Sequence, residues 1–519
     1  MSIPASKDTL HTLSQNIKGT MKEVQNILPT LIELEKRATN NTGSKGTISS
    51  LIAHVQNLLL GSYFIIIEIA SLVRNLIDTD NDYEKRFYIR WLNHSLFEGY
   101  IFFCKKNKED IDGVWLQTKS EISELKNSSL DNYIKPIDDT LENIKQNYCD
   151  WKLRNATAHF SNPLDEYKNL LMFCGNEEKM AQGASSFMSL HMKISQFCTI
   201  LIAILQNILP KQDFAAKIIV NRNKTNSIIA FINNKVFEAC NGNEQLHLVL
   251  NKTLDNCTKE LNNCDKYITT ISRIDAFTLS QSIKFKQREM LPMLHQLCLI
   301  RMTIAFMKGD LVCSVKSYLH SEDNIERASN LRRINLAETA ILTKLYGYNE
   351  SKRALSLWAK LQEYNNDSFD QETCKIELEL KNITGEFNSH KRNLDTHYRE
   401  GEKLNIVERY EEYGQMIHEE ELLRCTKLIN LCNDIDVYTV YVIDSYKKNL
   451  DIELENDKKR RFDMSKRLHN LINQSENSEE NKDTLRRILD QKEKQIDDMF
   501  EELPSSTKEA IEKRDKNNL

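Results

Sequence analysis

Apolar residues recur three and four positions apart through most of the chain, the period of a helix with one buried face. Residues 8–37, DTLHTLSQNIKGTMKEVQNILPTLIELEKR, carry that pattern with Pro29 as an expected kink, and the turn formers of Asn40–Thr47 follow as a plain loop. The pattern then predicts a strongly apolar helix from Ile48 to about Ile77, closed by DTDND, and another from about Tyr83 to Cys104. Shorter helices are expected around Gly113–Lys126 and Leu130–Leu153, and an apolar one at about Ser185–Leu209, stopped by Pro210. Ala215–Val220 and Ile228–Val236 are richer in β-branched residues, so this connector reads as a small hairpin or as short helices.

After the connector the pattern starts again. Leu246–Arg273 parallels Leu10–Arg37 at an offset of 236, and the apolar run Met290–Tyr318 ends in HSEDNIER as its counterpart ends in DTDNDYEKR. Glu338 in RRINLAETAILTKL lies where Glu98 lies in RWLNHSLFEGYIFF, at an offset of 240. Glu419–Tyr446 closes the second half as Ser185–Leu209 closes the first. Self-similarity at a fixed domain-sized spacing indicates duplication. The expected organisation is a first helical domain at 1–210, a connector at 211–244, a second helical domain at 245–450 and a charged helical tail at 451–519. In the tail, Leu485, Leu489, Ile496, Met499 and Leu503 keep helical spacing, interrupted by Lys492, which predicts an amphipathic helix packed on the body, or a frayed solvated tail, rather than a coiled coil. The basic cluster Lys458–Arg461 has acidic neighbours and reads as a solvated helix face.

Composition agrees with the periodicity. Only 14 glycines and 7 prolines in 519 residues leave few places for hairpin turns, so the expected class is all-α. A net charge of −5 with both signs abundant excludes polyanion binding by bulk charge, and any nucleic-acid contact must be local. The 12 cysteines form no CxxC pair, and Cys198 and Cys298 sit in apolar runs, which suits a reducing, cytoplasmic setting. No signal peptide is expected from the N-terminal residues, and Leu58–Val73 is short for a membrane span and carries Glu68, so it reads as a core helix.

The polar residues that break the apolar pattern are the candidates for chemistry. Arg90, His94 and Glu98 follow one another at intervals of four, ordinarily a solvated face and alternatively the wall of a polar cleft. Trp151–Phe160, WKLRNATAHF, brings together Arg154, Asn155 and His159, and HKRNLDTHY repeats the order as Arg392, Asn393 and His397, 238 positions later. An arginine offers a fixed fork of donors for a phosphate oxygen and keeps its charge, while a histidine exchanges protons near neutrality. RNA supplies its own 2′-hydroxyl nucleophile, so the pair suits phosphodiester cleavage. No metal-ligand spacing is coded, and no cofactor is expected. Residues five apart on a helix diverge by about 140°, so Arg154 and His159 would converge on one phosphate only across a helix break or in a cleft shared with the second motif. One such segment alone is weak evidence; two, each with asparagine after the arginine and each 54 to 56 residues beyond an aligned glutamate, carry more.

RNATAH and RNLDTH resemble the R-x4-6-H motif of the HEPN superfamily, helical bundles whose ribonuclease members commonly have asparagine after the arginine. The resemblance implies two tandem HEPN-like bundles whose motifs build one composite, metal-independent endoribonuclease site that leaves a 2′,3′-cyclic phosphate. It further implies Arg154, His159, Arg392 and His397 as catalytic residues, Asn155 and Asn393 as supports, and Glu98 and Glu338 as possible contributors from an earlier helix. The expected role is that of a toxin or antiphage defence effector, with RNA as substrate, an antitoxin or sensor protein as a possible partner, no membrane, and the oligomeric state open. The alternative is a catalytically silent pair that binds RNA or protein. Asp395, inside the second motif, departs from the small residues of the first and makes the two halves inequivalent.

Overall fold

The computed structural model describes residues 27, 29–34, 47–104, 112–125, 127–159, 177–208, 244–280, 290–321, 324–347, 353–364, 370–385, 398, 412–413, 418–475 and 478–501. Among them every regular element is helical: the protein is all-α. In chain order these are α1 (Thr47–Asp78), α2 (Asp82–Cys104), α3 (Val114–Glu124), α4 (Asp131–Tyr148), α5 (Trp151–His159), α6 (Glu177–Ile208) and α7 (Glu244–Ser280). The order continues with α8 (Met290–Leu319), α9 (Asn324–Leu345), α10 (Leu357–Gln362), α11 (Asp370–Gly385), α12 (His418–Gln474) and α13 (Glu479–Glu501). Residues 211–243 of the connector expected at 211–244, and most of the loop at 40–47, lie outside the described residues.

Two compact units form, each discontinuous in sequence. The first comprises Met1–Leu254, Gly309–Ile341 and Phe387–Thr426, and the second Asp255–Lys308, Leu342–Glu386 and Lys427–Leu519. The expectation was of two continuous halves. Instead, helices α8 and α9, which the repeat assigns to the second half, give Gly309–Leu319 and Asn324–Ile341 to the first unit.

In the first unit α1 packs against α2, α3 and α6; α2 also packs against α3, α4, α5 and α6; and α4 lies on α6. The apolar character of α1 follows from burial on several sides, with Leu51, Leu58, Ile65, Ile69 and Leu72 fully enclosed. By length and composition alone, 50–78 and 177–207 would be apolar enough to cross a membrane, but α1 buries Glu68 in an ion pair inside the bundle. Close approach needs the absence of a side chain at Gly61, where a Cβ would fall 2.1 Å from the Phe102 ring.

Four ion pairs of this unit follow a reciprocal pattern. Arg90 of α2 grips Asp310 of α8 with Nη1 at 3.0 Å and Nη2 at 2.6 Å, and Arg332 of α9 donates to Glu68 of α1 at 2.5 Å. Arg90 and Arg332 are 242 positions apart, and so are Glu68 and Asp310. The same holds for a second set. Arg74 of α1 pairs with Glu326 of α9, and Lys316 of α8 pairs with Glu84 of α2, again with 242 positions between corresponding members. Contacts in which i meets j and the counterpart of j meets the counterpart of i characterise a two-fold interface.

In the second unit, Arg301 of α8 donates to Asp436 of α12 at 2.7 Å, and Lys308 reaches Asn433 at 3.0 Å and Glu260 of α7 at 3.5 Å. Burial opposes the charge on Lys308 and Glu260 favours it; the balance raises its pKa. The tail folds back on itself: α12 runs on to Gln474, and α13 returns alongside it. Lys482 Nζ donates to the Asn473 carbonyl at 3.3 Å, and His469 lies 3.7 Å from Asp490. The amphipathic tail helix expected against the body is thus one arm of a hairpin, and Leu485 is exposed.

Candidate functional site

The first RNxxxH segment owes its position to a helix break that the periodicity did not reveal. The single pattern expected over Leu130–Leu153 is two helices, because Cys149 is extended and ends α4, and α5 restarts at Trp151. Asp150 starts the new helix. Its Oδ1 accepts from the backbone nitrogens of Lys152 at 2.9 Å and Leu153 at 3.2 Å, which supplies partners to donors that a helix start leaves without them. Asn93 of α2, fully buried, holds the backbone of Asp150 from both sides: its Nδ2 donates to the carbonyl at 2.9 Å, and its Oδ1 accepts from the nitrogen at 3.1 Å.

Five residues after Asn93 on α2 comes Glu98, and four after Asp150 comes Arg154. The clamp therefore sets these two side chains together. Arg154 Nε donates to Glu98 Oε1 at 2.7 Å and Nη2 donates to the same oxygen, with both residues buried. The Phe97 ring lies 5.8 Å from the guanidinium carbon. Arg154 is thus fixed by its carboxylate and by its helix, a preorganised cation rather than a mobile surface arginine. The helix runs unbroken from Trp151 to His159, so the divergence expected between Arg154 and His159 along one helix holds for their backbone positions. The side chains of Asn155 and His159 are outside the described residues.

The row Arg90, His94 and Glu98 is neither a solvated face nor an open cleft wall. All three are buried, Arg90 against Asp310 and Glu98 against Arg154, and the His94 ring meets Trp91 edge-on at 5.1 Å. A period of four cannot tell a solvated row from one enclosed by other helices that carry matching charges.

Arg392, Asn393 and His397 lie outside the described residues. Tyr398, next to the second histidine, is described: it is buried in the first unit with Arg332 over its ring, 4.6 Å from the centroid. Arg332 in turn holds Glu68, and Glu68 accepts from Ser95 of α2 at 3.0 Å, three residues before Glu98. A run of buried polar contacts therefore leads from the Arg154–Glu98 helix to the residue beside the second motif.

Glu338 occupies a different setting from Glu98. Its partner is Arg424 of α12, whose Nε donates at 2.8 Å and which also pairs with Glu421, and Cys425 Sγ approaches its other oxygen at 3.4 Å. Burial pushes the Glu338 carboxyl up to about 7 against the opposing pull of Arg424. The ion pairs explain the difference. Counted at 242, the spacing of the ion-pair partners, Glu338 falls against Leu96 rather than Glu98. The same register matches Asn93 with Asn335, a buried residue whose Oδ1 accepts from Arg424 at 3.2 Å. Neither asparagine stood out in the sequence. The signal for Asn93 was indirect: an aspartate before WKL, the mark of a helix start.

Among the described residues no group of three or more histidine, cysteine, aspartate or glutamate side chains is placed to hold a metal ion. Compared with family models, curated proteins and solved structures, the chain finds no match.

Proposed function

We propose that the protein is a metal-independent endoribonuclease made of two HEPN-like halves that arose by duplication, with one composite site drawn from Arg154, His159, Arg392 and His397. The reciprocal ion pairs carry this reading: Arg90–Asp310 with Arg332–Glu68, and Arg74–Glu326 with Lys316–Glu84, are what an ancestral two-fold dimer leaves behind when its subunits are fused. The burial of Tyr398 in the unit that holds Arg154 supports a shared site. One histidine assists attack of the 2′-hydroxyl on the adjacent phosphorus, the other protonates the departing 5′-oxygen, and the arginines stabilise the charge on the phosphorane. The products are a 2′,3′-cyclic phosphate and a 5′-hydroxyl. A cytoplasmic toxin or defence effector, restrained by an antitoxin or sensor, is the setting in which such an activity serves.

A second reading has its own support. Arg154 is already engaged by Glu98, which suits a silent pair that binds RNA or protein without cutting it. Labelled RNA incubated with the full chain in EDTA separates the two. Cleavage that disappears in both His159→Ala and His397→Ala supports the composite nuclease. Binding with no cleavage in the wild type supports the module, and cleavage undiminished in both variants sinks the assignment of the site.

A further inference from the structure

The helical hairpin at the end of the second unit joins its arms through polar side chains and leaves its larger apolar side chains on one outer side. Its two arms are joined through Lys482 and Arg486 to Asn473 and through His469 to Asp490. Ser465, His469 and Ile472 on α12, with Lys482, Arg486 and Leu489 on α13, are the less exposed positions along this seam. The larger apolar side chains stand one residue earlier on each arm: Met464, Leu468 and Leu471 are 59%, 38% and 62% exposed, and Leu485 and Ile488 are 42% and 47% exposed.

These two stripes form one face. Stepping back one residue turns about 100° around a helix axis. The arms are antiparallel, so seen from one end the two turns have opposite senses, and both stripes emerge on the same side of the hairpin. The residues one position later, Lys466, Asn470 and Asn473 with Asp483, Arg487 and Asp490, emerge on the other side and are all polar. Given the contacts across the seam, Leu471 stands level with Leu485, and Leu468 with Ile488. The hairpin is a two-sided plate with a continuous apolar surface that no described residue of this unit covers.

We propose that this face is a self-association surface, and that two copies of the chain join their hairpins into an antiparallel four-helix bundle. Charge selects both the occupant and its orientation. Residues 458–474 of α12 carry six Lys and Arg against one Asp, whereas α13 carries eight Asp and Glu against five Lys and Arg. A two-fold axis along the hairpin lays the basic arm of each copy over the acidic arm of the other. An axis across the hairpin would stack basic on basic. The favoured arrangement makes every neighbouring pair antiparallel and stacks Leu468 and Leu471 over Ile488 and Leu485 of the other copy, the layered apolar interior of a helical bundle. The surface is independent of the RNxxxH segments.

Sedimentation equilibrium of the full chain at micromolar concentration tests this. The wild type is expected to dimerise, and Leu468→Asp and Ile488→Lys are each expected to weaken the dimer by about tenfold or more, the effect of a charge worth at least 1.4 kcal/mol in the interface. Asn470→Asp, on the polar side, should leave it intact. Far-UV circular dichroism checks that each variant stays folded. Equimolar mixing of Leu468→Asp with Ile488→Lys should recover dimer, because the new charges meet across the interface only when α12 lies over α13 of the other copy. A monomeric wild type, a dimer indifferent to both variants, or a mixture that stays monomeric each overturns the proposal.

Discussion

Arg154 reaches Glu98 through two nitrogens of its guanidinium, in the buried space between α5 and α2. A cation so placed is part of the fold as well as of any phosphate site, and the two roles separate in mutants. Removing either partner alone leaves a buried charge, at a cost of about 3–5 kcal/mol, whereas an apolar pair of similar volume is often neutral or better. Glu98→Gln and Arg154→Met should each lower the urea midpoint markedly, and Glu98→Leu combined with Arg154→Met should recover most of the loss. In the nuclease reading the recovered double variant remains inactive on RNA. A double variant as unstable as the singles would show that the pair is not a self-contained unit.

The start of α5 depends on Asn93 and Asp150 together. Asn93→Leu removes two part-buried hydrogen bonds to the Asp150 backbone, each worth about 0.5–1.5 kcal/mol, and Asp150→Ala removes a helix cap, costing about 1 kcal/mol. Both secure the same turn, so the combined loss should differ from the sum of the single losses. Hydrogen exchange gives the local reading: the amides of Lys152, Leu153 and Arg154, each bonded to Asp150, should exchange faster in either variant. Unchanged exchange there would mean that α5 is held from elsewhere.

Much of the architecture was legible because the apolar period is long and uninterrupted. The helices expected at 48–77 and 83–104 appear as Thr47–Asp78 and Asp82–Cys104. What failed were inferences needing to know what faces a residue. Arg90 and His94 look like solvent-facing residues until Asp310 and Trp91 are known to face them, and Asp310 is 220 positions away in sequence. The match of Glu98 with Glu338 rests on letters in two helices with no partner to fix the register, and the spacing of the four ion pairs counts two residues differently. The Cys149–Asp150 break was hidden because helical spacing continues through it, although the aspartate that caps the next helix was in view.

The reciprocal ion pairs predict equivalent behaviour at equivalent positions. Arg74→Glu should be destabilising beside Glu326, and adding Glu326→Arg should restore much of the loss; Lys316→Glu with Glu84→Lys should behave in the same way. Thermal unfolding of the four single and two swapped variants is the measurement. Rescue in one pair without rescue in the other would show that the halves have diverged in how they use this contact, and rescue in neither would deny that charge complementarity holds these helices.

Glu338 supplies a dependence on pH. Burial raises its carboxyl from 4.5 to about 7, with Arg424 and Cys425 opposing the rise and Glu421 adding to it. The folded protein therefore binds this proton more tightly than the unfolded chain does. The associated stabilisation is complete below about 4.5 and is lost as pH rises through about 7, with an upper bound of about 3 kcal/mol for a shift of that size. Glu338→Gln keeps the shape and has no proton to release, so its stability relative to wild type should increase between pH 5 and pH 7.5. Urea unfolding at those two values measures the difference. Parallel changes in the two proteins would mean that Glu338 is ionised throughout, held so by Arg424 at 2.8 Å, and that the ion pair outweighs the burial.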